Sequence, residues 1–220
     1  MESVKNYYQI SQIEIDKIQR ENLSEKKTLA LHACCAPCST FPLEFLTPVF
    51  DVTIVYYNPN IYPEEEYVRR RDELKRYVEI FNREHREQVR FVELDCDSGN
   101  YERLFSPLKE EAEGGNRCKG CYAYRMNRVY RFADERRFDY FTTVMSISRQ
   151  KNSQVINRIG EKLSTRYRTK YFYSDFKKKK GIDRSQELRK RYGLYSQLYC
   201  GCRSSYEKFL KKEAARNEKL

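Results

Sequence analysis

The chain has 220 residues, with 43 Lys and Arg against 32 Asp and Glu for a formal charge of +11, and 40% of its residues are hydrophobic. That length suits one domain with a small elaboration, and that apolar fraction supports a core. The polar start MESVKNYYQISQIEIDKIQ and the lack of any bilayer-length apolar run argue against a secreted or membrane protein and predict the cytoplasm. The basic surplus points to a polyanionic partner, with nucleic acid favoured because the cations run beside tyrosines in RYRTKYFYSDFKKKK and RKRYGLY.

Residues 1–26 place Ile10, Ile13 and Ile18 among charges and read as an amphipathic leader helix, followed by an α/β domain over 27–206 and a charged tail over 207–220. Thr28 to His32 form a short apolar run, read as a buried strand ending in the first of three cysteine groups; Pro37 is placed for the first turn of a helix. A second strand over 52–57 breaks at Asn58-Pro59. A helix from Glu64 to about Arg83 follows, with Tyr67, Leu74, Tyr77, Val78 and Phe81 as its apolar stripe, and then a strand over 89–94. After Gly114-Gly115 a second cysteine pair opens a helix over 122–132. Residues 139–145 read as a strand, 152–163 as a helix and 171–173 as a last short strand. From about Asp175 the text is basic, turn-rich and poorly periodic, and is expected to fold back to the sheet edge. The alternation predicts an α/β fold, a parallel sheet flanked by helices, with ligands at the carboxyl ends of the strands.

Seven of the eight cysteines fall into three groups: Cys34, Cys35 and Cys38; Cys118 and Cys121; Cys200 and Cys202. Clusters so far apart in sequence read as thiolates converging on one site. They exceed the four ligands of one tetrahedral ion, which favours a polynuclear iron–sulfur centre with a second metal beside it over a zinc site. A thioredoxin-type pair would leave five grouped cysteines without a purpose. On an extended segment Cys34 and Cys35 would point apart and serve two centres, with a sharp turn the exception. Cys96 reads as a packed free thiol, His32 as a packed or supporting histidine, and His85 as solvated.

Two further stretches follow strands. YYNPNIYPEEEYVRR offers Asn58, Asn60 and Tyr62, and FTTVMSISRQKNSQVI offers Ser148, Arg149, Gln150 and Asn152. Each fits a helix cap when taken alone; together with the cysteine loop they suggest one shared pocket.

Taken in order, LHACCAPCS, YYNPNIYPEEEYVRR, NRCKGCYAYRM, FTTVMSIS, FYSDFKKKKG and GLYSQLYCGCRSS resemble the QueH-type epoxyqueuosine reductases over roughly Thr28 to Ser205. The resemblance implies a fold similar to the adenine-nucleotide α-hydrolase (HUP-like) group, without its glycine-rich ATP loop. It implies reduction of the cyclopentane epoxide of epoxyqueuosine in tRNA to the cyclopentene, in two electrons and two protons. It also implies a [4Fe-4S] cluster and one additional metal ion, expected to be iron, held among the seven grouped cysteines. Family members can carry aspartate at the position of Cys38, so here the second metal would see thiolates only. Asp175, Tyr57 or a metal-bound water would protonate the leaving oxygen. Arg117, Tyr122, Tyr62 and Tyr124 would grip the modified base, and Arg69–Arg71, Lys177, Lys178, Lys179, Lys180 and Arg189–Arg191 the tRNA phosphates. The partners are then tRNA carrying epoxyqueuosine in its anticodon loop and an electron donor, with no membrane. The rival readings are a zinc-stabilised RNA-binding module, an iron–sulfur tRNA-thiolating enzyme, and an iron–sulfur electron-transfer protein.

Overall fold

The apolar run after Lys27 becomes the central strand of a parallel sheet in the computed structural model, which describes residues 5–21 and 24–217. Strands β1 (Lys27–Ala33), β2 (Phe50–Tyr56), β3 (Arg90–Glu93), β4 (Tyr140–Thr143) and β5 (Lys170–Tyr171) lie in the order β3-β2-β1-β4-β5, every neighbouring pair parallel. Eight α-helices accompany them among the described residues: α1 (Tyr7–Arg20), α2 (Ala36–Leu46), α3 (Glu64–His85), α4 (Ser98–Phe105), α5 (Asn116–Glu135), α6 (Ser153–Ser164), α7 (Gly181–Arg191) and α8 (Arg203–Asn217).

Side chains alternate across a strand, so β1 and β2 feed two cores. Leu29, Leu31, Ala33, Val52, Ile54 and Tyr56 face Leu43 and Leu46 of α2 and Leu74, Tyr77 and Phe81 of α3. Ala30 and Val55 face Met126, Val129 and Tyr130 of α5 and Ile156 and Leu163 of α6. Both faces are covered, which is why these strands read as unbroken apolar runs.

The strand order reverses beside β1. The chain steps outward from β1 to β3, then returns to β4 on β1's other side, where His32 pairs with Thr143. The crevice beyond the carboxyl ends of β1 and β4 is therefore the topological switch point, where open α/β sheets take their ligands.

The strands match the sequence reading to within a few residues at their ends, where hydrogen bonding frays; α5 begins at Asn116, ahead of the helix read over 122–132, and the short α4 was not among the elements read. The segment after Asp175 differs. It holds two helices, although it reads as irregular. The helix α7 buries only Gly181 and Leu188, and α8 buries no residue, so neither carries an apolar stripe to detect. The helix α7 is held on α2 by a two-pronged Arg184–Glu44 pair at 2.8 and 2.9 Å. Gly181 permits the approach: a Cβ there would stand 2.0 Å from the Phe176 carbonyl oxygen.

Candidate metal centre

The first cysteine group sits at the mouth of the switch point. The chain leaves β1 at Ala33, bends at Cys34, and begins α2 at Ala36 with Cys35 as N-cap and Pro37 in the first turn. This turn overturns the divergence expected for an extended pair. The Cys34 and Cys35 sulfurs lie 3.9 Å apart, and the three sulfurs of Cys34, Cys35 and Cys38 all fall within 4.8 Å of one another. Hydrogen bonds from Cys35 and Cys38 pull the Cys34 thiol well below its ordinary range, whereas burial pushes Cys35 up. A helix N-terminus beside them favours the thiolate form.

The second group rides on the first turns of α5, where Cys118 and Cys121, three residues apart, share a face. Both are buried, and burial pushes Cys121 up. Gly114, at φ 87°, begins the turn into α5 and directs its N–H at the Cys118 sulfur, 3.3 Å away. The third group lies in the loop between α7 and α8. Gln197 in that loop donates to the Cys35 sulfur at 3.0 Å, so the chain does return to the first group.

Two cations join the groups. The Arg125 guanidinium, four residues past Cys121 and 2% exposed, interacts electrostatically with Cys121, Cys34 and Cys200. It donates to Asn58 Oδ1 and reaches His32 Nε2 at 3.4 Å, its Nε finds no acceptor, and no carboxylate pairs with it among the described residues. Lys151, half-buried, interacts with Cys200, Cys34 and Cys38, and those thiols push its ammonium pKa up. It too forms no salt bridge among the described residues. A buried cation without a carboxylate, such as Arg125, requires another anion nearby, and thiolates on a metal–sulfur group are such an anion. The all-sulfur donor set and its two cations thus fit an anionic metal centre. Cys34, Cys38, Cys200, Ser148, Lys151 and Tyr199 open on one cleft of about 630 Å³.

The CxC loop has its own anchor, which sequence reasoning missed. Arg70, 1% exposed, pairs with Glu66 at 2.7 Å and donates to the carbonyls of Tyr199 and Cys200, each at 3.1 Å. Between the two cysteines Gly201 takes φ 121°, and a Cβ there would stand 3.0 Å from the Arg70 guanidinium. Arg70 was expected at tRNA phosphate; it is instead buried under the loop. Its position four residues before Leu74, on the apolar stripe of α3, was the available signal. Arg125 likewise lies on the buried face of α5 with Cys118, Cys121 and Val129.

The other expected residues divide. Ser148, with Arg149, Gln150 and Arg189, lines the cleft. Asn58 is fully buried, tied to the Ala33 carbonyl at 2.9 Å and to Arg125, and so fixes the end of β1. Asn60 is buried with Oδ1 unsatisfied, close to Gly201. Tyr62 receives Tyr199 Oη on its carbonyl, donates its N–H to Gly201, and carries Arg203 over its ring. Arg117 and Tyr122 are buried beside the second cysteine pair, Arg117 donating to the Lys109 carbonyl. Lys177 is half-buried and donates to the carbonyls of Ser148 and Lys151, while Lys178, Lys179 and Lys180 are exposed. Arg71 pairs with Asp72 and Glu93, and Arg191 with Glu84. Neither proposed acid lines the cleft. Asp175 accepts from Ser153 beside α1 and α2, and Tyr57 packs under α5 beside Tyr124. Asn152 is the N-cap of α6. His32 is fully buried between Thr143 and the Tyr57 carbonyl; burial, with Arg125 beside it, lowers its pKa to about 3, so the ring is neutral. Cys96 is half-buried against Tyr67, and His85 is exposed.

Residues 29–208 match the family model described as Epoxyqueuosine reductase QueH. Proteins of that name are similar along most of their length. The chain is 43% identical to the Streptococcus pyogenes protein over 83% of this chain and 71% of that one. Identity is 39% to the Staphylococcus epidermidis protein, over 86% and 83%, and 31% to the Thermotoga maritima protein, over 80% and 88%. With the Cys34, Cys35 and Cys38 group at the sheet's switch point, the chain belongs to the QueH family of epoxyqueuosine reductases.

Proposed function

We propose that this protein reduces the epoxide of epoxyqueuosine in tRNA to the cyclopentene of queuosine, with release of water, using two electrons from an external donor and two protons. The observation that carries the reading is the Cys34, Cys35 and Cys38 trio at the switch point, with Cys200 and Lys151 on the same cleft and Arg125 within electrostatic range of Cys34, Cys121 and Cys200. The sheet order and the position of the cleft are also what a HUP-like fold would give.

Cys34, Cys35, Cys38, Cys118, Cys121, Cys200 and Cys202 would hold a [4Fe-4S] cluster and one further metal, iron by this reading. Bound there, the pair supplies single electrons and a Lewis acid. The protein's own groups do the rest. Arg125 and Lys151 offset the charge of the thiolates. Asn58 and His32 hold the end of β1, and Arg70 holds the CxC loop, so the sulfurs keep their places without reorganising. Ser148, Arg149, Gln150 and Arg189 line the entry that a base swung out of an anticodon loop would use. The exposed Lys178–Lys180 and the cations of α8 would meet phosphate, a contact that weakens with salt.

The test is anaerobic incubation of the protein with reductant and tRNA bearing epoxyqueuosine, followed by mass spectrometry of the nucleoside. Loss of one oxygen atom, dependent on bound iron, is expected. A colourless zinc protein, or an iron-loaded one that leaves the nucleoside unchanged, would refute the reading.

A further inference from the structure

Opening an epoxide to an alkene releases its oxygen, and that oxygen must take up two protons. Asp175 and Tyr57 are both held away from the cleft. Arg125 lies too deep, 2% exposed beneath the loop and committed to Asn58 and His32. Of the groups that line the cleft, Arg149, Lys208 and Lys212 are exposed, Arg189 is a half-buried guanidinium on α7 with no cysteine beside it in sequence, and Glu113 is an exposed residue of the loop before α5. Lys151 differs from all of these. It lines the cleft together with Cys34, Cys38 and Cys200 and stands within electrostatic range of those thiols, which belong to two of the three groups.

The backbone around Lys151 is braced. Its N–H donates to the Ser148 carbonyl at 3.2 Å, and Lys177 donates to its carbonyl at 2.7 Å and to that of Ser148 at 3.3 Å. The next residue, Asn152, caps α6. A flexible side chain thus starts from a fixed point on the cleft that Cys34, Cys38 and Cys200 also line, and no carboxylate holds its ammonium among the described residues. A lysine placed so would be wasteful as surface charge; it is suited to a negative oxygen arriving from the cleft.

Resting on the proposed reduction of epoxyqueuosine, we infer that Lys151 is a catalytic residue: its ammonium hydrogen-bonds the epoxide oxygen and donates the first proton as the carbon–oxygen bonds break. Both carbon–oxygen bonds break, the two electrons from the external donor complete the carbon–carbon double bond, and the oxygen leaves as water. Lys151 supplies one of its protons and solvent the other, and solvent then restores the ammonium. Lysine carries this proton at neutral pH without any special tuning.

The experiment compares wild type, Lys151→Met and Lys151→Arg as full-length, iron-loaded proteins. Three readings are taken: iron and sulfide per chain, tRNA affinity, and single-turnover rate on epoxyqueuosine tRNA under excess reductant. Lys151→Met is expected to keep its iron and its tRNA affinity within about twofold, and to lose rate by about 10²–10⁴-fold, the usual worth of a positioned acid. Lys151→Arg keeps the charge but replaces the compact ammonium with a wider planar fork that does not place a proton at the same point, and should remain at least about tenfold slow. A Met variant with iron and near-normal rate overturns the assignment. So does a Met variant that sheds iron yet turns over at a near-normal rate per iron retained, since Lys151 would then serve only as a counter-ion of the metal group. An Arg variant at wild-type rate removes the proton-donor role. A wild type that leaves the nucleoside unchanged instead refutes the proposed reaction itself.

Discussion

Arg70, 1% exposed on α3, ties the CxC loop to that helix through the carbonyls of Tyr199 and Cys200. In YVRRRD it looks like part of a phosphate clamp, yet it is buried with Glu66 and carries two carbonyls of the CxC loop. Removing one partner of a buried ion pair leaves the other charge stranded, at a cost of about 3–5 kcal/mol. Arg70→Met should therefore lower stability by about that much in urea unfolding of the metal-free protein. It should also speed alkylation of Cys200 and Cys202, read by mass spectrometry; unchanged labelling would mean that the loop is held by other contacts. Gly201→Ala tests the same joint from the other side. Its positive φ and the guanidinium 3.0 Å from the new Cβ predict a loss of iron from the loaded protein with secondary structure retained by circular dichroism.

At the scale of elements, the four-lysine run splits into two functions. Lys177 is spent on the carbonyls of Ser148 and Lys151, and only Lys178–Lys180 face solvent. Replacing Lys178, Lys179 and Lys180 by Glu should weaken tRNA binding by about tenfold or more at 0.1 M salt and flatten its salt dependence by about two to three ions, with iron content unchanged. Lys177→Glu should instead cost about 1–3 kcal/mol, because it strips two carbonyls of their donor; thermal unfolding of the two variants separates these effects. Central elements were legible because burial imposes periodicity: β1 and β2 are dry on both faces, and α3 and α5 carry full apolar stripes. The helices α7 and α8 were not, since one buries two residues and the other none. The site was legible in the same uneven way. Cysteine spacing announces itself, whereas Arg70, Arg125 and Lys151 look like ordinary surface cations until a fold places them. The turn at Cys34–Ala36, which brings adjacent thiols together, depends on where α2 begins, and spacing alone leaves that open.

Across the whole molecule, the sheet order does the assembling. Because β1 and β4 are neighbours while the chain between them travels to β3 and back, the cysteine loop after β1, the start of α5 and the loop after β4 meet at one edge. The segment after β5 then crosses α2 through α7, brings Gln197 to Cys35, and sets Cys200 on the cleft that Cys34 and Cys38 line. Each group is supplied by a different part of the chain, so loss of any one should damage a common centre. Cys118→Ser and Cys200→Ser, far apart in sequence, should both deplete iron rather than abolish only activity. The most direct measurement is therefore iron and sulfide per chain in anaerobically prepared wild type, with conversion of epoxyqueuosine tRNA followed in the same sample. The account predicts about four sulfides with four to five irons, and a nucleoside that loses one oxygen in proportion to the iron present. Stoichiometric zinc without sulfide, or full iron occupancy with an unaltered nucleoside, would contradict it.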